Sequence, residues 1–234
     1  MTSLPDLRPS HRPRTPGFVL ALALIALLGG LLGACGSDAS DSTDGGATTS
    51  DEFVPGTEIE GLVRDTPLQV GDQVLPEVAR DGTETPFAFA APPGKLLFAA
   101  FGYTNCPDVC PTTFYDIKKA LTLMGDDAEK IEVAFGTVDP ARDTPDLMND
   151  YLGSFVSGGH ALRTEDPEAL AAVQDAFGIT SSVVEDDEGE IQVSHSAKSF
   201  VIDDQGRVVV EWAFGTGHEV MASDLLLLLD QTAS

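Results

Sequence analysis

Residues 98–116 read FAAFGYTNCPDVCPTTFYD, and this stretch decides the fold. The apolar run 96–101 reads as a buried strand that ends in a Gly-Tyr-Thr-Asn turn. Cys106 and Cys110 follow, with Pro111 directly after the second, and a helical pattern then opens. Residues i and i+4 on a helical turn face the same way, with Cβ atoms about 5–6 Å apart. Two thiols so placed can close a disulfide or grip one soft metal ion. The backbone N–H groups at a helix start favour negative charge, which raises a cysteine's thiolate fraction. Proline is tolerated in that first turn because its missing N–H has no partner there. A merely structural cysteine pair is the plain alternative, but a strand-to-helix turn is an awkward place for packing alone.

Downstream, residues 111–124 read as that helix and 131–138 as a second buried strand. A second helix follows over 144–155, with Thr144 as N-cap and Pro145 in its first position. Residues 160–163 are a short strand, and Asp166 caps a helix over 167–177. Later strands fall at 191–193, 199–202 and 207–212, with a hairpin turn at 203–206 between the last two. Residues 219–230 form a closing helix whose leucines should pack on the sheet. Strands alternating with helices imply right-handed crossovers and parallel neighbours. Upstream, 58–63, 73–79 and 87–90 alternate weakly and read as strands of an N-terminal hairpin. The expectation is an α/β, thioredoxin-like fold with an N-terminal β-hairpin extension.

The chain has room for one domain over 53–234 plus terminal extras. It has 38 Asp and Glu against 13 Lys and Arg, a net charge of −25. That excess, spread along the chain, argues against nucleic acid and against lying on an anionic lipid surface. Residues 1–34 read as a signal peptide, with Arg8, Arg12 and Arg14 before an apolar run over 18–32. Leu32-Gly33-Ala34-Cys35 resembles a bacterial lipobox, which makes Cys35 the lipidated N-terminus and places the domain outside the cell membrane. An uncleaved anchor is the alternative. Residues 35–52 contain no large apolar side chain and read as a disordered acidic linker. With Cys35 lipidated, Cys106 and Cys110 remain as a pair, bridged in an oxidising compartment unless reduced or metal-loaded.

No P-loop, G-x-S-x-G or paired-carboxylate motif supports a hydrolase. Asp139-Pro140-Ala141-Arg142-Asp143-Thr144 follows the second strand and should line the same sheet edge as the cysteines. There, Arg142 and Asp143 are expected to pair. A metal role for Asp139 is disfavoured, since hard carboxylates suit other metals than soft sulfur does. Of four histidines, His11 falls in the signal segment, and His160 and His218 sit beside turn glycines as solvated residues. His195 stands just before a late strand, where a lone histidine is more often structural than a ligand.

FGYTNCPDVCPTT resembles the cysteine motif of the Sco/SenC family, extracytoplasmic copper-binding proteins with a thioredoxin-like fold. GTVDPARDTP (136–145) is similar to that family's V-D-P-x-R-D-T-P segment, and VSHSAKSFVID (193–203) to its D-H-S-A-x-x-Y-L-I-D segment. Asn105, Ser194 and Phe200 depart from the usual histidine, aspartate and tyrosine, and none of these removes a ligand. The resemblance implies copper, as Cu(I) and Cu(II), held by Cys106, Cys110 and His195. It also implies a monomeric metallochaperone whose partner is the cytochrome c oxidase subunit carrying the dinuclear copper site. The alternative is a thiol-disulfide oxidoreductase in which Cys106 and Cys110 are the catalytic redox pair.

Overall fold

The structure is a computed structural model, and it describes residues 53–232, which lie in the compact unit Thr49–Ser234. The expected signal peptide, lipidated Cys35 and linker lie outside the described residues. No helix among the described residues is long and apolar enough to cross a membrane.

The centre is β3 (Leu96–Gly102), buried along its whole length. Strand side chains alternate between faces. Leu96, Phe98 and Ala100 therefore enter one core, and Leu97, Ala99 and Phe101 the other. Such two-sided burial marks a central strand covered by helices on both faces. A crossover through α1 (Val109–Met124) leads to β4 (Ile131–Thr137), parallel to β3 from Leu96↔Ile131 to Gly102↔Thr137. Next, α2 (Pro145–Gly153) leads to β5 (His160–Leu162), parallel to β4. Thr144 Oγ1 accepts the Leu147 N–H at 3.3 Å, the expected N-cap. The Asp166 carboxylate likewise caps α3 (Pro167–Phe177), and Gly178 closes it at φ 60°.

β8 (Lys198–Ile202) pairs antiparallel with β3, and β9 (Val208–Ala213) antiparallel with β8. The hairpin β1 (Val74–Val78) and β2 (Glu84–Ala88) adds to the far edge through β5. The full order is β2-β1-β5-β4-β3-β8-β9. With the closing α4 (His218–Thr232), this is the thioredoxin-like arrangement with the expected hairpin extension. Phe114 and Ile117 of α1, Met148 and Leu152 of α2, and Leu225 and Leu228 of α4 share one core. Val173 and Phe177 of α3 fill the other. Full burial of one such side chain contributes about 1.5–3 kcal/mol.

Two expectations are corrected. Residues 58–63 form no strand; a single bridge joins Leu62 to Glu211. That segment is fastened instead by the buried Asp224 carboxylate, which accepts the Glu60 and Gly61 N–H groups at 2.9 Å each and Trp212 Nε1–H at 2.8 Å. Close packing explains Gly61, where a Cβ would meet Val210 and Trp212 side chains at 2.4–2.8 Å. The second correction is an unforeseen strand. β6 (Ser181–Glu185) pairs with β7 (Ile191–His195) in a separate two-stranded sheet, from Ser181↔His195 to Glu185↔Ile191.

Candidate metal centre

β3 ends at Gly102 and hands the chain to the loop that carries the cysteines. Helix α1 begins at Val109, two residues earlier than the sequence suggests. Only Cys110 is helical; Cys106 lies in the turn before it, so the pair does not face outward from one helix. Instead the Cys106 sulfur accepts the Cys110 N–H at 3.3 Å, the service a capping side chain usually performs. Asp108, at the N-cap position, makes no side-chain cap. Gly102 leaves room for the second sulfur: a Cβ there would stand 2.4 Å from Cys110 Sγ.

His195 ends β7, β8 begins three residues later at Lys198, and its pairing with β3 starts at Ser199. This brings His195 Nε2 to 3.6 Å from Cys110 Sγ. His195 Nδ1 lies 3.1 Å from the Ser196 carbonyl oxygen. A carbonyl only accepts, so in the neutral ring Nδ1 carries the proton and Nε2 presents its lone pair toward the sulfurs. The Tyr103 ring meets the imidazole edge to face, with centroids 6.1 Å apart. Cys110 is buried, whereas Cys106 and His195 are half-buried.

The donor atoms of Cys106, Cys110 and His195 lie within 4.8 Å of one another, and among the described residues no fourth His, Cys, Asp or Glu joins them. An ion bonded at about 2.0–2.3 Å, as in zinc–imidazole and zinc–thiolate sites, sits between donors roughly 3.5–4.5 Å apart. The three side chains therefore fit one ion with little adjustment. A cleft of about 260 Å³, lined by Tyr103, Cys106, Pro107, Asp108, Val193 and His195, opens the site to solvent. A larger groove of about 840 Å³ near Lys95, Lys118, Phe155 and His160 converges on no such donor set.

The electrostatics favour a cation. Burial pushes the Cys110 thiol well above its ordinary range. The neighbouring Cys106 and the Asp143 carboxylate push it the same way, against a backbone hydrogen bond from Tyr103. The Tyr103 phenol is raised too, first by burial and then by the cysteine sulfurs. At neutral pH Cys110 thus keeps its proton until positive charge arrives, and loading an ion releases it.

The loop after β4 departs from expectation. Arg142 does not pair with Asp143; its Nε–H donates to the buried Asp139 carboxylate, and its guanidinium lies 5.9 Å from the Tyr103 ring centroid. Asp143 turns inward. It accepts the Thr104 N–H at 3.1–3.2 Å, Thr104 Oγ1–H at 2.6 Å and Thr137 Oγ1–H at 2.5 Å. Sequence reasoning missed this link; its signal was a threonine at each end of the joined loops. His160 and His218 are not freely solvated. His160 Nδ1 lies 3.0 Å from Glu77, and His218 lies 3.7 Å from Asp116. Neither belongs to the cluster.

The SCO1/SenC family profile matches residues 79–230, a span that holds all three donors. This chain belongs to the SCO1/SenC family. Among its relatives, a protein named for copper binding from Stutzerimonas stutzeri is 32% identical over 127 residues, 54% of this chain and 62% of that protein. An SCO2-like protein of Rickettsia prowazekii is 32% identical over 116 residues, 49% of this chain and 56% of the other. The chain thus spans about three fifths of the length of these curated relatives. Among solved structures, Bradyrhizobium japonicum ScoI with copper bound matches at 33% identity and TM-score 0.56, covering 65% of this chain and 96% of that one. Apo Sco1 from Thermus thermophilus matches at 29% identity and TM-score 0.60, covering 72% and 95%.

Proposed function

We propose that this SCO1/SenC protein binds copper through Cys106, Cys110 and His195 and passes it to the dinuclear copper site of cytochrome c oxidase. One observation carries the copper part: two sulfurs and an imidazole nitrogen converge within 4.8 Å, and Cys106 and His195 line an open cleft. Soft thiolates select Cu(I), and imidazole extends the set to Cu(II). Structural zinc sites close with four protein donors, and this cluster offers three. The open side suits transfer, because an incoming thiolate can add before a resident donor leaves. Delivery outside the membrane, from a lipid tether at Cys35, follows from the leader-like sequence before the domain and from the family's implied role.

A second reading has its own support. The half-buried Cys106 sulfur stands before the helix start and accepts the Cys110 N–H, while the buried Cys110 stays protonated behind it. That is the layout of a disulfide reductase. The Cys106 thiolate attacks a partner disulfide, forming a mixed disulfide and releasing one partner thiolate. Cys110 gives up its proton, attacks the Cys106 sulfur and releases the second. Two electrons pass to the partner, and a Cys106–Cys110 disulfide remains.

The deciding experiment titrates the reduced full chain with Cu(I) against a competing chelator. One Cu(I) should bind per chain. Cys106→Ser and Cys110→Ser should each weaken binding by more than about a hundredfold, the upper end of what loss of even an outer partner costs. Single variants that compete as well as wild type would overturn the copper reading. Weak wild-type binding joined to turnover of a disulfide substrate would establish the reductase.

A further inference from the structure

The motif at 136–145 contains a buried carboxylate that neither reading above uses. Asp143 is 1% exposed. Its Oδ1 accepts from the Thr104 N–H and hydroxyl, and its Oδ2 from the Thr104 N–H and the Thr137 hydroxyl. The Thr137 oxygen in turn accepts the Asp139 N–H at 2.9 Å, which directs the Thr137 proton at Asp143. Both carboxylate oxygens thus face donors only, a set suited to the ionised form. Neither nearby arginine bonds to it. Arg142 goes to Asp139, and Arg163 Nε–H donates to the main-chain carbonyl of Asp143 at 2.8 Å. The result is a buried negative charge held by neutral donors.

Its place gives the charge a task. Thr104 stands two residues before Cys106, so Asp143 ties the cysteine loop to the loop after β4. Its other donor, Thr137, pairs with Gly102 at the end of β3, and a Cβ on Gly102 would stand 2.4 Å from Cys110 Sγ, so the carboxylate lies beside the second sulfur as well. Two thiolates and a neutral imidazole around Cu(I) carry a net charge of −1, whereas the same set around Cu(II) is neutral. A fixed anion beside the site repels the first more than the second.

We propose that Asp143 is a positioning residue whose charge tunes the centre toward Cu(II) while its hydrogen bonds hold the Cys106 loop in place. This rests on the copper reading above and names the device that sets which copper ion the site prefers.

The test measures Cu(I) and Cu(II) affinities of the full chain by chelator competition, with melting of the metal-free protein alongside. Asp143→Asn keeps the shape and removes the charge. It should lower the ratio of Cu(II) to Cu(I) affinity about tenfold, a rise of about 59 mV in the copper couple. Arg142→Gln, which removes positive charge from the same loop and frees the Asp139 carboxylate, should raise the ratio. Structural damage would not move two variants in opposite directions, and Arg142→Gln keeps the test alive should Asp143→Asn fail to fold. Unchanged ratios, or ratios that shift the same way in both variants, overturn the proposal and leave copper binding standing. A wild-type chain that binds neither ion overturns both.

Discussion

His195→Ala separates a ligand from a structural histidine. Without metal, the side chain's contribution is small. It is half-buried, makes one hydrogen bond to Ser196, a weak 3.6 Å contact with the Cys110 sulfur and one edge contact with Tyr103. A hydrogen bond contributes about 0.5–1.5 kcal/mol and an aromatic edge contact about as much again. Partial exposure puts the sum at about 1–2 kcal/mol, and a domain of this size melts roughly 2–4 °C lower per kcal/mol lost. The metal-free variant should therefore melt only a few degrees below wild type. The effect on copper is larger and uneven. Cu(I) accepts low coordination and keeps both sulfurs, so its affinity should stay within about tenfold, or 1.4 kcal/mol. Cu(II) prefers more donors in a tetragonal set that includes nitrogen. Its affinity should fall by about a thousandfold, or 4 kcal/mol, with loss of the visible sulfur-to-copper absorption. The assay is a Cu(II) titration followed by absorbance and electron paramagnetic resonance, beside Cu(I) competition and melting. His160→Ala and His218→Ala should change neither ion. An unchanged Cu(II) spectrum would remove His195 from the site. Equal weakening of both ions together with a large melting loss would make it a structural residue.

Other outcomes follow from the scaffold. Asp224→Asn places an amide N–H₂ against N–H donors from Glu60, Gly61 and Trp212, and should cost about 2–4 kcal/mol in a urea titration. Trp212, the lone tryptophan, reports the change by fluorescence. Burial alone would raise the Glu211 carboxyl, but the hydrogen bonds and charges of Arg64 and Lys198 hold it below its usual value. Its folded pKa is thus below the unfolded one, so its stabilisation is full above the ordinary carboxylate range of about 4.3 and is lost as pH falls through the folded value. Glu211→Gln should be less stable near neutrality and show a flatter acid limb in pH-dependent melting. Intact mass of the native protein should show loss of residues 1–34 and added acyl mass at Cys35; a mature chain that keeps them refutes lipidation there.

The central β3–α1–β4 unit was legible because its signals are local. A wholly apolar run, a proline in a first helical turn and a second apolar run leave few alternatives. The closing hairpin was legible from its polar turn, where Asp203 accepts the Gln205 and Arg207 N–H groups at 2.9 Å. β6 was not legible, since four of its five residues are exposed and no buried face imposes a period. Its register is set instead by Asp186, whose carboxylate gathers the Glu188 and Glu190 N–H groups across the turn. The weak alternation at 58–63 looked like a strand because Ile59 does pack on the core, yet the backbone there bonds to the Asp224 side chain. The cysteines announced a site by themselves. His195 did not, and only likeness to a family singled it out among four histidines. Asp143 could not be read at all, because either acid of an Asp-x-x-Arg-Asp run can reach the arginine, and tertiary partners made the choice.

Cys110 and His195 are 85 residues apart along the chain and meet only because β8 lies against β3. A chain not yet fully folded carries the two thiols but not the third donor in reach. Any ion it meets then is held by a short flexible loop, without the nitrogen that distinguishes one oxidation state from another. Full binding appears only once the last strands have docked, so acquisition of the ion certifies that the domain is finished. The bond also acts in reverse, as a clasp on that 85-residue closure. At a free ion concentration a hundred times the dissociation constant, it would hold that closure by about 2.7 kcal/mol.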